Sequence, residues 1–223
     1  MRALDLFCGI GGVAKGLERA GFTEIVGWDH NAECGDFYPY EFHAGDVMSL
    51  PLDYIESFDF VWASPPCQRW VSAAWQWNHP DLLTPIQLTA SLTNVPWCIE
   101  NVPTSPVRRN VQLCGAMFGR RLIRHRDFEL HRWTCPQPNH HPHRPDYVTV
   151  TGGARRQWYD VIDRHGIYDD WIEAMGIDWI PFEKCRFVSQ AIPPDYSCYL
   201  ASHFLGTGHD PIFSLHAESP SPV

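Results

Sequence analysis

Short apolar runs alternate with glycine turns and helical stretches through the first hundred residues. Leu4-Asp5-Leu6-Phe7 reads as a buried strand that ends in the turn Gly9-Ile10-Gly11-Gly12. A helix follows, with Val13, Leu17 and Ala20 on one face and Gly21 as its stop. Glu24 to Trp28 reads as a second strand ending at Asp29, and a third short unit ends at Gly45-Asp46. Phe58 to Trp62 is a fourth strand, running into Pro65-Pro66-Cys67. A helix around Pro85 to Leu92 precedes the strand Trp97-Cys98-Ile99. Strands alternating with helices predict an α/β chain with a parallel sheet covered on both faces.

From about Arg132 this rhythm stops. Pro136, Pro138, Pro142 and Pro145 break regular structure, and His140, His141 and His143 lie among them. A helix resumes near Tyr168 to Met175, and the tail from Ser214 reads as disordered. At 223 residues, one α/β domain with a modest appendage is the expected size. No apolar run reaches membrane-spanning length and the start is not a signal peptide, so a cytoplasmic protein is expected. Eight cysteines without framework spacing read as reduced thiols.

The net charge of −9 argues against a nucleic-acid partner until its distribution is considered. Arg108 to Arg156 holds ten arginines against only Asp127, Glu129 and Asp146, so that stretch is locally +7. Arginine suits phosphate and guanine.

Gly9-Ile10-Gly11-Gly12-Val13-Ala14 fits a glycine turn that lets a backbone approach a ligand, with Asp29 placed to hold ribose hydroxyls. A nicotinamide-linked dehydrogenase carries the same signal. Ala63-Ser64-Pro65-Pro66-Cys67-Gln68 and, thirty-three residues after Cys67, Glu100-Asn101-Val102 offer a thiol nucleophile and a carboxyl in one half-domain. That equipment suits attack on C6 of a cytosine while a proton is managed at N3.

Together with Asp5-Leu6-Phe7-Cys8-Gly9-Ile10-Gly11-Gly12, these stretches resemble the DNA (cytosine-5)-methyltransferase family over about Leu4 to Leu205. The resemblance implies a Rossmann-like S-adenosylmethionine-dependent methyltransferase fold with a small loop-rich target-recognition insertion. It implies double-stranded DNA as substrate and S-adenosyl-L-methionine as cofactor. By it, Phe7, Gly9, Gly11, Gly12 and Pro65 line the cofactor, Asp29 takes the ribose, Asp46 the adenine amino group, and Trp28 or His30 flanks the adenine. Cys67 is the nucleophile, Glu100 meets N3 and Asn101 orients the strand end. Leu122-Ile123-Arg124-His125-Arg126 resembles the family's Gln-x-Arg-x-Arg strand, with Leu122 in place of Gln. Arg126 would then hold the cytosine O2 and Arg124 would support the catalytic loop. Ser189-Gln190-Ala191-Ile192-Pro193-Pro194 resembles the segment that returns to the cofactor, with Ser189 and Gln190 replacing Gly and Asn.

The expected organisation is a catalytic core over 1–130, a target-recognition region over 131–181, a return to the core over 182–213 and a tail over 214–223. So short a recognition region looks like that of bacteriophage-encoded enzymes and predicts a short target site. Gln68 and Ser72 on the catalytic loop, with Arg155 and Arg156, are assigned to DNA. Arg132, Arg144 and Gln157 are further base-contact candidates. Trp75 or Trp77 could fill the gap left by a flipped base. Ser64-Pro65-Pro66 also matches three of the four positions of the amino-directed methyltransferase loop, which ends in an aromatic and leaves Glu100 unexplained. A non-enzymatic DNA-binding module would need the arginines but not Cys67. Cys135, His140, His141 and His143, with Cys114, have ligand chemistry but match no standard zinc finger, so no metal is expected.

Overall fold

The computed structural model describes residues 1–71, 79–150 and 164–208. Ser72, Trp75, Trp77, Arg155, Arg156, Gln157 and the expected tail from Ser214 lie outside the described residues.

Seven strands form one sheet: β1 (Arg2–Leu6), β2 (Glu24–Asp29), β3 (Glu41–Ala44), β4 (Phe60–Ala63), β5 (Trp97–Asn101), β6 (Val111–Leu113) and β7 (Arg126–His131). Their order is β3-β2-β1-β4-β5-β7-β6. The first five are parallel, and β7 runs antiparallel to both β5 and β6. The expected strand over Leu122 to Arg126 begins only at Arg126. Leu122 makes a single bridge to Val148, because the backbone there crosses to the insertion instead of joining a neighbouring strand.

Side chains on the central strands alternate between two cores. Ala3, Phe60, Trp62 and Cys98 face one side, where α1 (Gly12–Ala20) and α6 (Pro194–Phe204) cover them. Leu4, Leu6, Val61, Ala63, Trp97 and Ile99 face the other, under α2 (Leu52–Glu56) and α3 (Leu83–Leu92). Burial on both faces is why β4 and β5 read as continuous apolar runs. A third core joins Ile10 and Cys34 to α4 (Arg164–Met175) and α5 (Arg186–Gln190) through Trp171, Met175, Phe187 and Val188. The second half of the expected recognition region therefore packs against the glycine turn of the catalytic core. Trp179 Nε1 donates to the Ile10 carbonyl at 3.0 Å, and Lys184 and Arg186 both pair with Glu33. The helix α6 escaped the sequence reading because Pro193 and Pro194 mask its start, and α5 because it is only five residues long. A proline at the first helical turn is favourable, since its missing N–H has no partner there anyway.

Asp5 sits fully buried on β1, accepting a hydrogen bond from Tyr38 Oη at 3.2 Å on one oxygen. Its other oxygen has no partner among the described residues. Burial pushes its pKa well above the usual carboxylate range, and the nearby Asp29 charge adds to this. A raised native pKa means that the unfolded chain releases its proton first. Asp5 therefore destabilises the fold progressively as pH rises above about 4, by about 1.4 kcal/mol per pH unit until the native value is passed. Asp5→Asn is expected to raise the urea midpoint at pH 8, with the advantage over wild type shrinking toward pH 4. A difference independent of pH would show that Asp5 is ionised in the folded protein.

Candidate active site

The carboxyl ends of β1, β2, β3 and β4 meet at one rim, where ligands of open parallel sheets bind. Phe7 leaves β1 at φ 58°, half-buried, and throws the chain into the glycine turn. The three glycines serve different ends. A Cβ on Gly9, at φ 50°, would meet nothing within 4 Å, so this glycine borders open space. A Cβ on Gly11 would strike Pro39, and one on Gly12 would lie 2.2 Å from the Ile192 carbonyl oxygen. Gly12, expected to line the cofactor, is required by the close packing of α1 against the segment before α6. Asp29 fixes the turn by accepting from the Gly9 N–H at 3.0 Å and the Asn31 N–H at 2.9 Å. Trp28 stacks on His43 with ring centroids 5.0 Å apart and donates to Tyr54 Oη at 3.1 Å. Asp46 is exposed and caps the turn Val47–Ser49 through the Met48 N–H. An open space at Gly9, an acid on its rim and a stacked indole beside it fit an adenosyl group.

The catalytic candidates converge at the ends of β4 and β5. Pro65 and Pro66 fix the loop leaving β4, and Cys67 opens the turn Gln68–Trp70 with its side chain half-buried. Two bonds brace this loop: Asn101 Nδ2 donates to the Pro65 carbonyl at 2.9 Å, and Thr104 Oγ1 donates to the Trp70 carbonyl at 2.6 Å. Glu100, 5% exposed, forms an ion pair with Arg126 Nε at 2.9 Å. Ser64 also bonds Glu100, and is itself held by Trp62 Nε1 at 2.9 Å. Burial raises the Glu100 pKa above the ordinary value against the opposing pull of Arg126 and Arg124. Burial likewise pushes the Cys67 thiol up, and the Glu100 charge pushes it further. The resting pair thus favours a thiol beside a carboxyl that holds its proton to higher pH than an exposed one.

Comparison with known proteins bears on these motifs. Residues 1–79 match the family model described as C-5 cytosine-specific DNA methylase. The matched stretch carries both the glycine turn and the Pro-Pro-Cys loop. The type II methyltransferase M.FnuDI of Fusobacterium nucleatum is 32% identical over 77 residues, which span 33% of this chain and 22% of that protein. Two solved structures share the fold over 92% of this chain and 98% of their own. They are a DNMT2 mutant from Spodoptera frugiperda (14% identity, TM-score 0.61) and the methyltransferase EhMeth from Entamoeba histolytica (12% identity, TM-score 0.67).

Arg124, expected to support the catalytic loop, makes its hydrogen bonds elsewhere. It is buried, and its guanidinium donates to the carbonyls of Val150 at 2.6 Å, Ser189 at 2.9 Å and Ala191 at 2.9 Å. Desolvation pulls its pKa down to about 9. It fastens the insertion and the return segment to β7, and acts on the catalytic loop only through its charge. The arginine-rich stretch is also less free than its local charge suggests. Arg120 pairs with Asp195, Arg121 with Asp146 and Arg126 with Glu100, while Arg108 and Arg132 bond backbone carbonyls. Arg109 and Arg144 are exposed. Gln68 is half-buried beside Cys67, and its Oε1 has no partner among the described residues. Sequence reasoning missed Ser64 and Thr104. Their short polar side chains acquire a role only when β4 and β5 lie side by side.

The electrostatic link between Cys67 and Glu100 has a direct consequence. Glu100→Gln removes a negative charge beside the sulfur, so the Cys67 thiol should ionise at lower pH. Iodoacetamide labelling of Cys67, followed by mass spectrometry across pH 6 to 10, should show its midpoint move downward. An unmoved midpoint would mean that the carboxyl does not act on the sulfur.

Proposed function

We propose that this chain is a DNA cytosine-5 methyltransferase that works through a transient bond between Cys67 and C6 of a flipped cytosine. The observation that carries this reading is the buried Glu100–Arg126 pair beside Cys67, on a loop braced by Asn101. S-adenosylmethionine supplies an electrophilic methyl group at the rim bordered by Gly9, with Phe7, Trp28, Asp29, Asp46 and Pro65 around it. No helix among the described residues is long and apolar enough to cross a membrane.

C5 of cytosine is a weak nucleophile. Addition of the Cys67 sulfur to C6 forms a C–S bond and moves ring electrons toward C5. Glu100 places its proton at N3, so charge does not build up on the ring. Arg126 holds Glu100 in line and can reach the cytosine O2. C5 would then take the methyl group, the donor leaving as a neutral thioether; the original C5 proton goes to water, the N3 proton returns to Glu100, and the C–S bond breaks to release Cys67 as thiolate and restore the aromatic ring. The half-buried Gln68, with Ser72, Arg155 and Arg156, would meet the DNA, and the exposed Arg109 and Arg144 are further phosphate candidates. M.FnuDI is named a type II methyltransferase, and we place this chain in the same restriction-modification role. Bisulfite sequencing of DNA from cells expressing the chain, beside cells expressing Cys67→Ala, tests the reading. Protected cytosines at a defined site only with the wild type are expected. Modified adenines, or cytosines carrying the methyl on the amino group, would replace it with amino-directed chemistry.

A further inference from the structure

Three imidazoles and a thiol from three separate stretches of chain meet at one spot next to the start of β7. Cys114, fully buried, follows β6, and His125 immediately precedes β7. His140 and His143 come from the proline-rich loop, in which residues 133–144 form no helix or strand. One ligand-capable atom from each of the four lies within 4.8 Å of all the others. Cys114 Sγ is 3.3 Å from His143 Nε2, and His125 Nε2 is 3.1 Å from His140 Nε2. A tetrahedral zinc with bonds of about 2.0–2.1 Å to nitrogen and 2.3 Å to sulfur has edges of about 3.3 Å between nitrogens and about 3.6 Å from nitrogen to sulfur. The two measured edges approach those of such a polyhedron. The sequence groups Cys135 and His141 with these residues, but the fold does not. Cys135 turns toward Tyr199, and His141 is exposed outside the cluster. His125 was hidden in the sequence because it lies between Arg124 and Arg126, where the motif draws attention to its neighbours.

We propose that Cys114, His125, His140 and His143 form a closed zinc site. One thiolate and three neutral imidazoles suit zinc, and four protein ligands leave no position for a reactive water, so the metal is structural. It ties the proline-rich loop to the sheet edge made by β6 and β7. It also fixes the backbone of His125, whose carbonyl accepts from Arg126 Nη1 at 2.8 Å. The metal thereby steadies the strand start from which Arg124 and Arg126 project. None of this depends on the reaction catalysed.

The full-length protein purified from zinc-supplemented medium should carry about one zinc per chain by elemental analysis. After chelation, cobalt(II) should restore tetrahedral visible bands with a thiolate charge-transfer band in the near ultraviolet. Changing the surface-loop pair, His140→Ala with His143→Ala, should weaken binding by at least about 100-fold, since even outer-sphere partners are worth 10–100-fold. Cys114→Ser should remove the charge-transfer band. Cys135→Ser and His141→Ala should bind as wild type does. No metal uptake at micromolar zinc or cobalt, or undiminished binding by the His140/His143 variant, would overturn the site.

Discussion

Cys67→Ala is expected to abolish methyl transfer. C5 gains enough electron density only when a nucleophile has added at C6, and Cys67 is the sulfur that lies beside Glu100 and Arg126 at the strand ends. The other described cysteines are buried in the core or lie elsewhere, Cys114 among the histidines and Cys198 on α6. Loss of a covalent nucleophile lowers rates by on the order of 10⁴–10⁶-fold in comparable enzymes. The variant should fold normally, because Cys67 is only half-buried and its loop is held by Asn101 and Thr104. Duplex DNA with 5-fluorocytosine at the target should trap the wild type as a covalent complex, since fluorine cannot leave C5 as a proton does. Cys67→Ala should give no such band on a denaturing gel. Equal trapping by the two proteins, or methylation by the variant within tenfold of wild type, would remove Cys67 from the chemistry.

Glu100→Gln is expected to lower the single-turnover rate by about 10²–10⁴-fold while leaving DNA affinity nearly unchanged. The amide keeps an oxygen for Arg126, so the pair's geometry survives and only the titrating proton is lost. Burial holds the Glu100 proton to higher pH than usual. The protonated form therefore persists to higher pH than for an exposed carboxyl and is lost as pH rises through that raised value. In the wild type the rate should climb as Cys67 ionises and fall as Glu100 loses its proton. In Glu100→Gln the falling limb should vanish along with most of the rate. A Gln variant with near-normal turnover would confine Glu100 to holding Arg126.

The glycine turn, the Pro-Pro-Cys loop and the Glu-Asn strand end were legible because each is local. Their chemistry is written in consecutive residues, and alternating strands and helices dictate that all of them emerge at one sheet rim. What stayed hidden depends on distant partners. Gly12 looks like a cofactor glycine until Ile192 is seen against it, 180 residues away. Arg124 looks like a catalytic guanidinium until its three carbonyl partners are known. The arginine stretch looks like a free basic face until Asp195 and Glu100 neutralise part of it. The helix over Tyr168 to Met175 was visible, but not that its apolar side chains share a core with Ile10. The histidines and Cys114 were weighed together but matched no standard zinc finger, and His125 was not among them.

Arg124 has one more consequence. By grasping the carbonyls of Val150 on one side and of Ser189 and Ala191 on the other, it works as a clasp at the neck of the intervening stretch. A stretch pinned at its base can change length with little penalty, since doubling a flexible loop adds only about 0.6 kcal/mol of closure entropy. Insertions between Val150 and α4 should therefore leave both the sheet and the core that α4 shares with Ile10 intact. A protein engineer could add sequence at that point while keeping the rim that carries Cys67 and Glu100.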